Sequence, residues 1–177
     1  MNETVIASER IYEGKIVNLR RDTIRLQNGK EAKREIVEHG GAVAIVPMRD
    51  ANTVLLVRQF RLAAGGALLE IPAGGMNEGE SPEECARREL AEEIGLVPNT
   101  MTPLYAAFVA PGYTTEKIYG FLAQDLREEK LAPDEDEFVE TVTMSLEDAI
   151  AAIATGEIQD MKSIAGLTLA ARILSRG

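Results

Sequence analysis

Between Gly74 and Leu96 the chain reads G-G-M-N-E-G-E-S-P-E-E-C-A-R-R-E-L-A-E-E-I-G-L, and its glutamates are where chemistry could begin. The second half has the marks of a helix with firm ends. Ser81 suits the N-cap, Pro82 the first helical position, and Glu84 completes an S-x-x-E capping box, while Gly95 offers a left-handed stop after Ile94. Glu89, Glu92 and Glu93 then stand at i, i+3 and i+4 on one face, with Leu90 and Ile94 projecting from the other. Like charges at these spacings cost roughly 0.2–0.5 kcal/mol per pair. Glu92 and Glu93 also fall in the last turn, where the helix dipole favours cations. Arg88 can reach Glu92, but one arginine does not balance three glutamates. A divalent cation would. Clustered carboxylate oxygens suit Mg²⁺ or Mn²⁺, hard ions that bridge proteins to substrate phosphates. Ala73-Gly74-Gly75, just ahead, lets backbone approach closely and could offer a carbonyl ligand. A bare Glu-Glu pair would be better read as a solvated helix face.

Several elements must position this segment. Ala42–Met48 reads as a buried strand, Arg49-Asp50-Ala51-Asn52 as a turn and Thr53–Phe60 as a second strand. Leu68–Ile71 leads into the glycine loop. Leu104–Val109 and Lys117–Ala123 read as strands flanking Pro111-Gly112, and Phe138–Met144 as a last strand. Ser145 caps a helix to about Thr155 with Gly156 behind it, and Lys162–Ser175 makes a C-terminal helix. Strands and helices interleave without strict β-α-β alternation, which predicts a mixed sheet between helices. Residues 1–40 read as a β-rich section: Asn28-Gly29 lies between Thr23–Leu26 and Ala32–Val37 as in a hairpin, and the alternation at Val17 and Leu19 predicts a further strand. That section is too short for a core of its own.

Composition narrows the partners. The chain has 177 residues, 45% hydrophobic, enough for one good core. A formal charge of −10 argues against nucleic-acid or anionic-membrane binding, which rest on Lys/Arg patches. It also means that an anionic substrate must be met through metal and local arginines. Cys85 is the sole cysteine, so no intramolecular disulfide forms, and it reads as a small packed side chain. The first residues lack the layout of a signal peptide, and no apolar run spans a bilayer, so a cytoplasmic location is expected. His39, the sole histidine, reads as structural.

The full spacing is more specific than the helix. Gly74, five residues, Glu80, seven residues, then Arg88-Glu89-Leu90-x-Glu92-Glu93-x-Gly95-Leu96 matches the Nudix box at every fixed position. The chain therefore resembles a Nudix hydrolase. The resemblance implies an α/β/α sandwich with a mixed sheet, residues 41–177, preceded by an antiparallel β section, residues 1–40, that serves dimerisation and covers substrate. It implies Mg²⁺-dependent cleavage of a diphosphate, with Mn²⁺ as a substitute. Glu89, Glu93 and the Ala73 carbonyl would hold metal, Glu92 would support them, and Arg88 would orient the glutamates.

Further segments resemble the ADP-ribose pyrophosphatase branch. Pro111 lies sixteen residues after Gly95, the spacing that marks that branch, in Ala110-Pro111-Gly112-Tyr113-Thr114-Thr115-Glu116. Glu116 then matches the residue that binds the ribose distal to adenosine. Asp134-Glu135-Asp136-Glu137-Phe138-Val139-Glu140 resembles its catalytic loop, which makes Glu137 and Glu135 candidates for the catalytic base or an additional metal contact. Arg61, ending Arg58-Gln59-Phe60-Arg61, is a candidate for the diphosphate, and Arg34 for the neighbourhood of adenine. With no tryptophan in the chain, base stacking must use Tyr, Phe, Arg or aliphatic side chains, with Tyr12 and Tyr113 as aromatic candidates. The resemblance also implies a homodimer that exchanges N-terminal strands.

The expected reaction is hydrolysis of ADP-ribose to AMP and ribose 5-phosphate. The nearest alternative is a related diphosphatase acting on nucleotide sugars such as GDP-mannose or ADP-glucose, or on FAD or NADH. A non-catalytic ADP-ribose sensor is the alternative from another class. It fits poorly, because the box is intact and no basic recognition helix follows it.

Overall fold

The computed structural model describes residues 2–129, 131 and 138–176. They form two compact units: residues 1–41 with 107–117, and residues 42–106 with 118–177.

The first unit is a three-stranded antiparallel sheet, β1 (Thr4–Glu13), β2 (Asn18–Arg25) and β3 (Glu31–Glu38), in that order. The expected Asn-Gly turn joins β2 to β3. Gly29 takes a φ of 78°, open to it without a Cβ clash, and the Leu26 amide donates to the Lys30 carbonyl at 2.8 Å. The alternation at Val17 and Leu19 does not mark a separate strand. Leu19 lies at the start of β2, which runs on through Thr23 to Arg25, and Val17 just ahead of it. Residues 107–117 join this unit through β3: the Val37 amide donates to the Tyr113 carbonyl, and the Thr115 amide to the Val37 carbonyl.

The second unit is layered. β4 (Ala42–Pro47) lies between β7 (Ala73–Gly75), antiparallel to it, and β9 (Lys117–Glu128), parallel to it, with β8 (Leu96–Phe108) at the far edge. That edge position accommodates Pro98 and Pro103 within β8, since a strand edge can spare their missing amide hydrogens. A second sheet has the order β10 (Val139–Ser145), β5 (Thr53–Arg61), β6 (Gly66–Glu70), all antiparallel.

Strand β4 shows why helices cover both sides. Its side chains alternate between two faces, and both faces are fully buried. Val43 and Ile45 pack with Cys85, Ala86 and Leu90 of α1 (Pro82–Glu93). Ala44 and Val46 pack with Leu56 of the second sheet, Ala149 of α2 (Leu146–Thr155) and Leu167 of α3 (Met161–Leu174). This is the expected α/β/α sandwich with a mixed sheet. The caps of α2 also match expectation, with Ser145 accepting from the Asp148 amide and Gly156 closing the helix at a φ of 77°.

One polar contact fixes α3 to the strand that leads into the glycine loop. The fully buried Ser163 hydroxyl accepts from the Ile71 amide at 2.8 Å. Ser163→Ala leaves that amide buried without its partner, and urea unfolding should show a loss of about 1–3 kcal/mol. An unchanged midpoint would mean that this bond does not hold the helix to the strand.

Candidate active site

The glutamate helix α1 begins as its sequence requires. Ser81 Oγ accepts from the Glu84 amide, and the Glu84 carboxylate accepts from the Ser81 amide at 3.0 Å. Pro82 occupies the first turn, and Gly95, at a φ of 70°, lets the chain turn away after Ile94. Burial of Cys85, Ala86 and Leu90 against β4 then fixes which side of α1 faces outward.

The outward face is not uniformly exposed. Glu89 is only 7% exposed, while Glu92 and Glu93 are half-buried. The Glu89 carboxyl group lies against Gly74 so closely that a Cβ built there would be 2.0 Å from its Cδ. A side chain at position 74 would have to push the Glu89 carboxyl group aside. Arg88 gathers the acids. Its Nη1 donates to Glu89 at 2.7 Å and to Glu92 at 2.9 Å, while Nε and Nη2 grip the two oxygens of Glu80 at 2.9 Å each. Nη2 also donates to the Gly75 carbonyl at 3.0 Å, joining the helix to β7. Glu93 accepts from the Ala73 amide at 3.3 Å.

These contacts fix the charge states. Hydrogen bonds from Arg88 hold the Glu80 carboxyl down at about 2, against an ordinary value of 4.5, and the same pairing raises Arg88. Its folded-state pKa being depressed, Glu80 lends stability that is complete above about pH 4.5 and is lost as pH falls through about 2. Burial, helped by Glu80 and Glu89, pushes the Cys85 thiol up to about 12. Its sulfur rests 3.4 Å from the Gly75 carbonyl, in keeping with packing rather than nucleophilic chemistry.

Among the described residues, no three acidic, histidine or cysteine side chains converge on one point. The acids are spread between Arg88 and the Ala73 amide. The donor set nevertheless fits a hard divalent cation. Glu89, Glu92 and Glu93 supply carboxylate oxygens from one face, and the strand opposite comes close because Gly74 has no side chain. Beside Glu92 and Glu93 opens a cavity of about 820 Å³, also lined by Arg49, Thr141 and Thr143. That is room for a small organic ligand.

The remaining candidates fall into separate groups. Arg61 holds Glu70 through Nη2 at 2.7 Å and Nε at 3.2 Å. Glu70 is 2% exposed and also takes Lys162 Nζ at 2.8 Å. Burial pushes the Glu70 carboxyl up, but the bonds from Arg61 and Lys162 outweigh it and leave the pKa below the ordinary value. In the first unit, Arg34 pairs with Glu3 at 2.6 Å, and Glu116 lies 4.0 Å from His39 Nδ1. Because that nitrogen accepts from the Gly41 amide at 3.1 Å, the histidine shapes its own loop. Pro111 and Gly112 form a turn closed by the Tyr113 amide on the Ala110 carbonyl, and Tyr12 and Tyr113 both expose their rings. Glu135 and Glu137 lie outside the described residues.

Sequence reasoning assigned no role to Glu80, Glu70 or Lys162. The signal for Glu70 was there: a charge inside the apolar run Leu68-Leu69-Glu70-Ile71 must find a partner. Nothing local pointed to Lys162, which lies 92 positions away.

The model of the NUDIX domain matches residues 38–165. The chain belongs to the Nudix family. Ahead of that Nudix segment, the model of the nucleoside diphosphate sugar hydrolase N-terminal domain matches residues 3–37. The chain is 42% identical over 165 residues to an ADP-ribose pyrophosphatase of Bacillus subtilis (strain 168), covering 92% of this chain and 89% of that one. It is 40% identical over 141 residues to a GDP-mannose pyrophosphatase of Yersinia enterocolitica, covering 74% of this chain and 73% of that one. A crystal structure of an ADP compounds hydrolase superposes with a TM-score of 0.89 at 26% identity, covering 99% of this chain and 96% of that one. The Nudix helix is α1, and Gly74 to Leu96 are its box.

Two measurements test this geometry. Carbon-detected NMR titration of Glu80 should give a midpoint near 2 in the native protein and one near 4.5 after Arg88→Ala. A native midpoint near 4.5 would contradict the pairing. Gly74→Ala should expel the Glu89 carboxyl group and sharply weaken Mn²⁺ binding measured by calorimetry; native-like binding would show that the close approach is dispensable.

Proposed function

We propose that this Nudix protein hydrolyses ADP-ribose to AMP and ribose 5-phosphate with the help of Mg²⁺. The observation that carries the reading is the joined set Gly74, Glu80, Arg88, Glu89 and Glu92, in which a glycine makes room for a buried carboxylate and one guanidinium aligns the rest. The choice of ADP-ribose is supported by the relative of that name and by the position of Pro111 after the box.

In this reading Glu89, Glu93 and the Ala73 carbonyl hold the cation, with Glu92 in support. When bound, it neutralises diphosphate charge and makes water more acidic. Mn²⁺ would serve in its place. Arg88 keeps Glu89 and Glu92 aimed. Arg61 grips the diphosphate, and Glu137 or Glu135 takes the proton of the attacking water. The water oxygen forms a new bond to one phosphorus, the bridging P–O bond breaks, and two phosphate monoesters leave. Arg34, Tyr12 and Tyr113 meet the adenosine end, while Glu116 and the Pro111-Gly112 turn meet the distal ribose. The protein works as a homodimer with exchanged N-terminal strands in the cytoplasm. No described helix is long and apolar enough to cross a membrane. A GDP-mannose diphosphatase is the second reading, favoured by the relative of that name.

The test is product analysis with ADP-ribose, ADP-glucose, GDP-mannose, FAD and NADH, each with Mg²⁺ or with EDTA. AMP and ribose 5-phosphate should form fastest from ADP-ribose and not at all in EDTA. Glu93→Gln should lower turnover by orders of magnitude while circular dichroism stays native. Faster cleavage of GDP-mannose would transfer the assignment to the second reading.

A further inference from the structure

We propose that Lys162 is a positioning residue that aims Arg61 at the diphosphate by holding the Glu70 carboxylate from the opposite side. The inference rests on the reading of Arg61 given above and extends it to a residue at the start of α3.

Glu70 ends β6 between the buried Leu69 and Ile71, and its own side chain is 2% exposed. A carboxylate so placed is costly unless cations and hydrogen bonds surround it. Arg61 commits its Nε and Nη2 edge to Glu70, and Lys162 Nζ meets Oε2 at 2.8 Å. The two cations differ in exposure. The Arg61 side chain is 35% exposed and sits at the end of β5, whereas that of Lys162 is 15% exposed. Lys162 is also tied at both ends. Its Nζ donates to Asp160 Oδ2 at 2.9 Å, and its backbone carbonyl accepts from Tyr105 Oη at 3.1 Å. The Tyr105 ring lies against Gly120, where an added Cβ would fall 2.2 Å from it. Asp160 caps α3 through the Ser163 amide at 3.0 Å, and Ser163 in turn accepts from Ile71.

Lys162 is therefore the rigid member and Arg61 the outward one, with Glu70 between them. The lysine anchors Glu70 Oε2, the oxygen to which Arg61 Nη2 also donates, and the carboxylate in turn orients the guanidinium. Charge matters as well. Arg61 and Lys162 balance Glu70 and Asp160, so loss of the lysine leaves a net negative cluster beneath the arginine meant to meet an anion.

A double-mutant cycle isolates the coupling. In the wild-type background, Lys162→Met should raise KM for ADP-ribose about tenfold or more, the scale of one lost charge-assisted hydrogen bond. The change in kcat should stay within about twofold, because the metal ligands are untouched. In an Arg61→Ala background the same substitution should leave KM nearly unchanged, and Lys162→Arg should recover most of the wild-type KM. If Lys162→Met fails to fold by circular dichroism, Lys162→Gln carries the same cycle. Additive KM effects, or a fall in Tm and kcat without a change in KM, would overturn the inference and leave Lys162 a structural residue. If Arg61→Ala raises KM but Lys162→Met does not, this inference alone falls. If Arg61→Ala itself leaves KM unchanged, the reading of Arg61 falls and this inference with it. Should the wild-type protein prefer another nucleoside diphosphate derivative, the cycle is read on that substrate; no turnover of any would overturn the inference.

Discussion

A single guanidinium holds the acids of the helix and its loop together. Arg88 meets Glu80, Glu89 and Glu92 at once, and each contact is charge-assisted. Without it, glutamates one turn apart would repel one another at the helix end least hospitable to negative charge. The grip on Glu80 and the Gly75 carbonyl also ties α1 to the glycine loop, so one side chain settles both the charge and the shape of the site. Lysine could not replace it, because a point charge cannot take Glu80 by two oxygens while facing two further carboxylates.

Two levels of constraint lie behind that contact. The buried side of α1 is held against Val43 and Ile45, which sets its rotation and hence the direction of the glutamates. Gly74 then sets how near the opposite strand can come. Strand β4 carries both requirements, since it supports α1 on one face and pairs with β7 along its edge. The site is thus a product of sheet geometry, and its loop residues are placed by a strand buried on both sides.

Much of this was legible in the chain itself. The capping box, the Gly95 stop, the Asn-Gly turn and the Ser145 and Gly156 ends of α2 all appear where local chemistry demanded them. What escaped reading depended on partners distant in sequence. β1 gave no usable pattern because all its residues are exposed, so no apolar face alternates with a polar one. β8 extends well ahead of the expected Leu104, because its prolines, which argue against an interior strand, lie on an edge. The burial of Glu89 follows from the missing side chain at Gly74, and the pairing of Glu70 with Lys162 joins elements that only tertiary packing brings together. The motif announced the acids and Arg88; the structure added Lys162 and the pairing of Arg61 with Glu70.

Cys85 has a practical consequence. The chain's sole thiol is completely buried under the glycine loop and resists ionisation, so thiol-directed reagents have nothing to attack. A cysteine introduced anywhere on the surface would be the one reactive thiol in the protein. Fluorophores, spin labels or cross-linkers could then be installed on the native background, with no need to remove a residue from beneath the box and disturb the site being observed.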